Sequence, residues 1–123
     1  MKRLPDAELE LMMIIWDAEK PITRVEIEEQ MTSDKDVVPS TILTLLSRLE
    51  KRGFLKHKKK GKINYYYALA DKEEYLQEEG KSILEKMFGN SLTQFVATLY
   101  SGDCLDKEDV EELQAFIDEQ KGE

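Results

Sequence analysis

A cluster of basic side chains is the feature of this sequence with the clearest chemical use. Residues 48–62 contain eight lysine or arginine residues and one acid, a net charge of +7, although the whole chain has a formal net charge of −8. The basic residues are Arg48, Lys51, Arg52, Lys56, Lys58, Lys59, Lys60 and Lys62. Positive charge concentrated in one segment of an acidic protein predicts a polyanionic partner, such as the phosphate backbone of a nucleic acid.

Short hydroxyl side chains precede this basic segment and add a second kind of contact. They are Ser40, Thr41, Thr44 and Ser47. Serine and threonine hydroxyls bond both base edges and phosphate oxygens. Beyond them, we expect Arg48 to reach a guanine edge or a phosphate, and Lys51 and Arg52 to hold the DNA backbone.

Catalysis finds little support in this sequence. His57 is the only histidine and lies among lysines, so we expect a solvated or phosphate-facing ring rather than a general base. Cys104 is the only cysteine, and one cysteine and one distant histidine do not suffice for a metal site. No P-loop, HExxH, CxxC or dinucleotide-binding glycine pattern occurs. We therefore predict a binding protein without catalytic residues, metal or cofactor, and a single cysteine favours the reducing cytoplasm.

Apolar periodicity before residue 53 predicts three helices. The first begins after Pro5, and Thr23 with Glu26 forms a capping box that begins the second. The apolar stripe of the first helix comprises Leu9, Met12, Met13 and Trp16. The apolar positions of the second are Val25, Ile27 and Met31. The third helix follows a turn at residues 32–39 and buries one face. That face consists of Ile42, Leu45, Leu46 and Leu49.

Leu43 is the exception on the third helix, because it lies outside the apolar face and beside the hydroxyl and basic side chains. We expect it either to close onto the neighbouring hairpin or to meet a thymine methyl group.

Two alternating segments, residues 54–60 and 63–69, predict a hairpin that turns at Gly61 and Lys62. Three helices followed by a basic hairpin describe a winged helix, whose third helix enters the DNA major groove while the hairpin, or wing, contacts the backbone. The lysines at the tip would straddle adjacent phosphates. They are Lys58, Lys59, Lys60 and Lys62.

After residue 71 the sequence becomes acidic and its apolar residues have helical spacing. We therefore predict a winged-helix domain at residues 1–71 and a helical domain at residues 72–123. About fifty residues of amphipathic helix rarely bury this much apolar surface alone, so a twofold dimer is expected. The apolar residues that would form it are Ile83, Leu84, Met87, Phe88, Phe95, Val96, Leu99, Phe116 and Ile117. The predicted fold class is mainly α with a small β-hairpin wing.

Three segments carry a resemblance to a known family: LPDAELELMMIIWDAEKPITRVEI, STILTLLSRLEKRGFL and GKINYYYALADKEEYL. Together they resemble the BlaI/MecI family of antibiotic-responsive repressors, across nearly the whole chain. The resemblance implies a cytoplasmic homodimer with a winged helix followed by a helical dimerisation domain. It also implies a palindromic operator and repression of β-lactamase or similar resistance genes. A membrane sensor protease pathway would relieve repression by cleavage in the dimerisation domain.

The chain departs from this family at identifiable positions. Staphylococcal members carry a basic residue where Leu43 stands and another at Ser40, so we expect different operator contacts there. Their cleaved Asn-Phe pair aligns with Thr98 and Leu99, which are not that dipeptide, so relief of repression by proteolysis there and relief by another signal are both open.

A protein-binding adaptor built on a winged-helix scaffold is the alternative interpretation. It would suit the acidic C-terminal half but leave the basic wing unexplained. Binding to random duplex at low salt, abolished when salt is raised, would distinguish DNA binding from this alternative.

Overall fold

A computed structural model describes residues 3–31 and 38–122, so most of the expected turn at residues 32–39 lies outside the described residues. The described chain confirms the predicted fold class, with six helices and one antiparallel hairpin. The elements are α1 Asp6–Ala18, α2 Arg24–Gln30, α3 Pro39–Lys51, β1 Leu55–Lys60, β2 Ile63–Ala68, α4 Lys72–Phe88, α5 Leu92–Ser101 and α6 Lys107–Lys121. Two compact units divide the chain, residues 1–78 and residues 79–123.

The core of the first unit is built by α1, α2, α3 and the hairpin. The predicted apolar face of α3 is buried, because spacing of 3, 4 and 7 residues returns to the same side of a helix. On α1 the buried face is centred on Leu11, Met12 and Ile15, one position away from the predicted stripe. Val25, one of the predicted apolar positions of α2, is 49% exposed. Ile27, two residues later, is fully buried and points about 200° away around the helix.

The start of α2 is held by the predicted capping box. The Glu26 backbone N–H donates to Thr23 Oγ1 at 3.2 Å, and the Thr23 backbone N–H donates to Glu26 Oε1 at 2.9 Å. The Thr23 backbone N–H, followed by its hydroxyl, lowers the pKa of the Glu26 carboxyl below its ordinary value. Just before the cap, Ile22 and Tyr66 exchange backbone hydrogen bonds of 3.0 and 2.7 Å. This bridge fixes the beginning of α2 beside β2.

The hairpin pairs β1 and β2 from Leu55 opposite Ala68 to Lys60 opposite Ile63. Its turn includes Gly61 with φ +66°, a left-handed conformation that glycine adopts without steric cost. Tyr66 is buried, whereas its neighbours Tyr65 and Tyr67 point to the other side and are only half-buried. The alternation predicted for this strand therefore holds, and it places one tyrosine in the core.

The first turns of α4 pack into the N-terminal unit through Tyr75. This side chain is 2% exposed, and its hydroxyl accepts a 2.9 Å hydrogen bond from the backbone N–H of Leu4. Its ring centroid lies 5.7 Å from that of Trp16 and 5.9 Å from that of Phe54. The two compact units therefore divide inside α4, later in the chain than the change of composition after residue 71.

Replacing Tyr75 by phenylalanine is expected to lower the free energy of unfolding by about 1–3 kcal/mol, because the buried Leu4 N–H loses its acceptor. Urea unfolding of the full chain, followed by tryptophan fluorescence, measures this change at the ring that contacts Tyr75. Tyr65→Phe on the hairpin is the matched control and should change stability by much less. Equal effects of the two substitutions would contradict the role given to the Tyr75 hydroxyl.

The second unit consists of the end of α4 together with α5 and α6. Phe88 and Phe95 stack with ring centroids 5.0 Å apart. Among the described residues 79–122 no side chain is fully buried. Large apolar side chains remain exposed on this unit: Met87, Leu92, Tyr100, Val110, Leu113, Phe116 and Ile117. No helix in the described ranges is both long and apolar enough to cross a membrane.

Candidate nucleic-acid interface

The outer face of α3 presents its hydroxyl and basic residues to solvent. Every side chain predicted to contact DNA is exposed, on both α3 and the hairpin. The Thr44 hydroxyl donates to the backbone carbonyl of Ser40 at 2.9 Å. Its hydrogen is thus used within the helix, while its oxygen can still accept from a donor such as an adenine or cytosine amino group.

Arg52, at the end of α3, is bound by a carboxylate of α1. Its Nη1 donates to Glu8 Oε2 at 3.0 Å; the Glu8 side chain is 3% exposed and the Arg52 side chain 41% exposed. The second Glu8 oxygen, Oε1, is buried and has no hydrogen-bond partner in the part of the chain that the structure describes. Arg52 therefore ties α3 to α1, and the phosphate contact expected for it stays a prediction.

The wing lysines are available to meet phosphates. Lys58, Lys59, Lys60 and Lys62 are exposed, and within residues 3–31 and 38–122 none of them is paired with an acid. Because side chains alternate along a strand, Lys58 and Lys60 point to one face of β1 and Lys59 to the other. The hairpin tip can therefore contact phosphates on both of its sides.

His57 connects the wing to α3. Its Nδ1 lies 2.7 Å from Glu50 Oε1, a hydrogen-bond distance, and its ring centroid is 5.8 Å from that of Tyr66. The ring is exposed to solvent, with 41% of its side-chain surface accessible, and it also meets the one acid within the basic segment. This contact joins β1 to α3 at the surface, between the wing lysines and the hydroxyl face of α3.

A cleft lined by apolar and polar side chains lies beside these residues. Val25 of α2, Leu43 of α3 and Ile63 of β2 are 49%, 46% and 50% exposed, and all three line a cleft of about 430 Å³. The rest of its lining consists of Thr23, Arg24, Lys62, Asn64 and Tyr66. Leu43 thus lies at the edge of the wing without being closed over by it. Val25 and Ile63 were not predicted as interface residues. Val25 could have been, because residues two apart on a helix point about 200° away from each other and Ile27 belongs to the core.

The second unit carries the residues predicted for dimerisation. Most of them are half-buried, whereas Met87, Phe116 and Ile117 are 73%, 59% and 39% exposed. An apolar groove of about 710 Å³ between α5 and α6 includes Val96, Phe116 and Ile117. Leu92, Tyr100, Val110 and Leu113 also line this groove and were not predicted.

The implied cleavage position lies within α5. Thr98 is exposed and its hydroxyl donates to the backbone carbonyl of Gln94 at 2.8 Å, while Leu99 is half-buried. Both residues therefore have helical backbone in this structure.

A three-helix unit with an exposed polar recognition helix and a basic two-stranded wing defines a winged-helix DNA-binding protein. A profile of the penicillinase repressor family matches residues 4–119. The chain belongs to this family, which confirms the resemblance to BlaI and MecI.

Individual relatives extend over almost the full chain. The penicillinase repressor of Bacillus licheniformis is 32% identical over 124 residues, which cover 98% of this chain and 96% of the relative. The methicillin resistance regulatory protein MecI of Staphylococcus aureus strain N315 is 32% identical over 114 residues, covering 93% and 92%.

Solved structures match a smaller part of the chain. The solution structure of the DNA-binding domain of the repressor BlaI is 36% identical, with a TM-score of 0.51, over 61% of this chain and 94% of that domain. The monomeric form of Bacillus licheniformis BlaI in complex with the blaP half-operator is 35% identical, with a TM-score of 0.50, over 60% and 89%.

Proposed function

We propose that this protein is a cytoplasmic transcriptional repressor that binds a palindromic DNA operator as a homodimer and controls β-lactamase or other antibiotic-resistance genes. The observation that carries the proposal is the exposed hydroxyl and basic face of α3 beside the exposed wing lysines, in a chain of the penicillinase repressor family. A relative of this family has been solved on a half-operator, which supports DNA as the partner. The protein acts by binding and is not an enzyme.

In this mechanism α3 enters the major groove. Thr44 and Arg48 contact base edges, since an arginine fork can bond guanine and a threonine oxygen can accept from an amino group. The wing lysines bind the neighbouring phosphates, which supply affinity for any sequence. The hydrogen bond between His57 and Glu50 joins the wing to α3 between these two sets of contacts.

The second unit supplies the dimer. Its helices leave large apolar side chains exposed, and exposed apolar surface of this kind is typical of a protein interface. The α5–α6 groove, with Val96, Phe116 and Ile117 among its lining residues, is the surface proposed to meet the second protomer. Two protomers place two α3 helices on half-sites a whole number of helical turns apart.

Induction would follow from dissociation of the dimer. A cut between Thr98 and Leu99, made through a membrane sensor protease pathway, would divide α5, to which Val96 and Tyr100 of the groove belong. Each protomer would then hold DNA through one winged helix alone. The resemblance to the BlaI/MecI family supports this step.

Substitutions in α3 test sequence-specific recognition. Thr44→Ala or Arg48→Ala should weaken binding to the operator more than binding to random duplex, by about 1–3 kcal/mol where the side chain bonds a base. The operator is first obtained by genome-wide mapping of bound DNA, and both affinities are then measured by fluorescence anisotropy.

Lys58→Ala provides the contrast, because removing a phosphate contact should lower both affinities equally. If Thr44→Ala and Arg48→Ala also lower both equally, these two side chains hold only the backbone. A protein that fails to bind random duplex even at low salt would favour the adaptor interpretation instead.

A further inference from the structure

We propose that Val25, Leu43 and Ile63 form an apolar reading surface that receives thymine methyl groups of the operator. This inference rests on the proposed function and names a specificity determinant within it. Two of the three residues belong to elements other than the recognition helix, namely α2 and β2. The surface is therefore assembled by the fold rather than by α3 alone.

Val25, Leu43 and Ile63 are far more exposed than the core residues of the same elements. All three are about half exposed, whereas Ile27 of α2, Ile42 of α3 and Tyr66 of β2 fill the core from the same elements. The core therefore does not account for Val25, Leu43 or Ile63. Three aliphatic side chains that line one cleft within a basic surface indicate a partner with a matching apolar group.

Leu43 lies at the border between the outer face of α3 and the wing. On α3 it follows Ile42, which is buried, and precedes Thr44, which is exposed on the outer face. It also lines the adjoining cleft of about 410 Å³, together with Ser47 and Lys51 of the same helix. Leu43 thus lies where the proposed major-groove surface meets the wing, and the cleft that contains Val25 and Ile63 continues that surface.

Few chemical groups of DNA can make an apolar contact with these side chains. Among the base edges in the major groove, the C5-methyl of thymine is the apolar group, and aliphatic side chains contact it. Burial of one methyl group is expected to contribute about fourfold in affinity. Deoxyribose also offers C–H groups along the backbone, but those contacts are the same for every sequence.

Removal of single methyl groups from the DNA tests the inference directly. Operator duplexes are prepared with one thymine at a time replaced by deoxyuridine, which keeps base pairing and lacks only the methyl. We expect the affinity of wild-type protein to fall about threefold to fivefold at one or two positions of each half-site. Leu43→Ala should bind the original operator more weakly and no longer distinguish thymine from uracil at those positions.

Val38→Ala is the matched control, since Val38 is 50% exposed at the start of α3 but does not line the cleft. This variant should retain the preference for thymine. Val25→Ala and Ile63→Ala should each reduce it.

Four outcomes would overturn the inference. Wild-type affinity could be unchanged by deoxyuridine at every position, or Leu43→Ala could respond to deoxyuridine as strongly as wild type does. Leu43→Ala could also weaken operator and random duplex equally, which would indicate contact with deoxyribose. A protein without any preferred sequence would contradict the proposed function as well, whereas the other results leave repression intact.

Discussion

A fragment that ends at Glu78 is expected to be monomeric and to bind the operator about 10²- to 10⁴-fold more weakly than the full chain. Two linked half-site contacts gain affinity through effective concentration, and the fragment lacks the unit proposed to link them. The end point keeps Tyr75, whose ring and hydroxyl complete the N-terminal core. If a fragment that ends before Tyr75 bound the operator weakly, loss of folding and loss of the dimer would explain the result equally well.

Sedimentation velocity gives the oligomeric state of the fragment, circular dichroism checks its fold, and anisotropy gives its operator affinity. The solved DNA-binding domain of BlaI shows that a comparable part of a relative can be studied alone. A fragment that remains dimeric and binds at full strength would refute the assignment of dimerisation to the second unit.

Phe116→Glu in the full chain tests the same interface without truncation. Phe116 is 59% exposed in the α5–α6 groove, so a carboxylate there should block the partner while leaving each protomer folded. Ala115→Glu adds the same charge to α6 on the side opposite the groove, where Ala115 is exposed, and this variant should remain dimeric. If Phe116→Glu also remains dimeric, the groove is not the interface.

Neutralising the four lysines at the wing tip should weaken binding to every DNA sequence by about 10²-fold or more at low salt. The variant changes Lys58, Lys59, Lys60 and Lys62 to alanine. Each phosphate that a lysine no longer neutralises lowers the slope of log K against log salt by roughly 0.9, so four phosphates lower it by about 3.6 per protomer. These lysines are exposed and have no acidic partner among the described residues, so stability should change little.

A second variant with the same change of charge controls for the net charge of the protein. It replaces Lys81, Lys86, Lys107 and Lys121, which lie on helices of the second unit. Anisotropy titrations at several salt concentrations should give this control the wild-type slope. An unchanged slope in the wing variant would mean that the hairpin does not touch the backbone.

Local patterns were sufficient to predict the elements of this fold. The spacing of Ile42, Leu45, Leu46 and Leu49 determined the buried side of α3, and therefore the exposed side that carries Thr44. The capping box at Thr23 predicted the start of α2, because its two partners are only three residues apart. Such features depend on neighbours along the chain, and a sequence displays them directly.

The features that could not be predicted from the sequence depend on residues that are far apart in the chain and close together in the fold. Glu8 meets Arg52 across 44 positions, and Tyr75 meets Leu4 across 71. No periodicity connects such pairs. In the sequence Ile63 resembles an ordinary strand residue. Only the folded structure shows that it lines one cleft with Val25 and Leu43.

The contact between exposed Arg52 and buried Glu8 alters how genetic data on this surface should be interpreted. Arg52 lies at the end of a run of basic residues, yet it also compensates a carboxylate that is almost entirely removed from water. Replacement of Arg52 would therefore reduce the amount of folded repressor in the cell. A screen that scores only gene expression would record that reduction in the same way as a broken DNA contact. Separating the two requires protein abundance to be measured alongside repression for every variant.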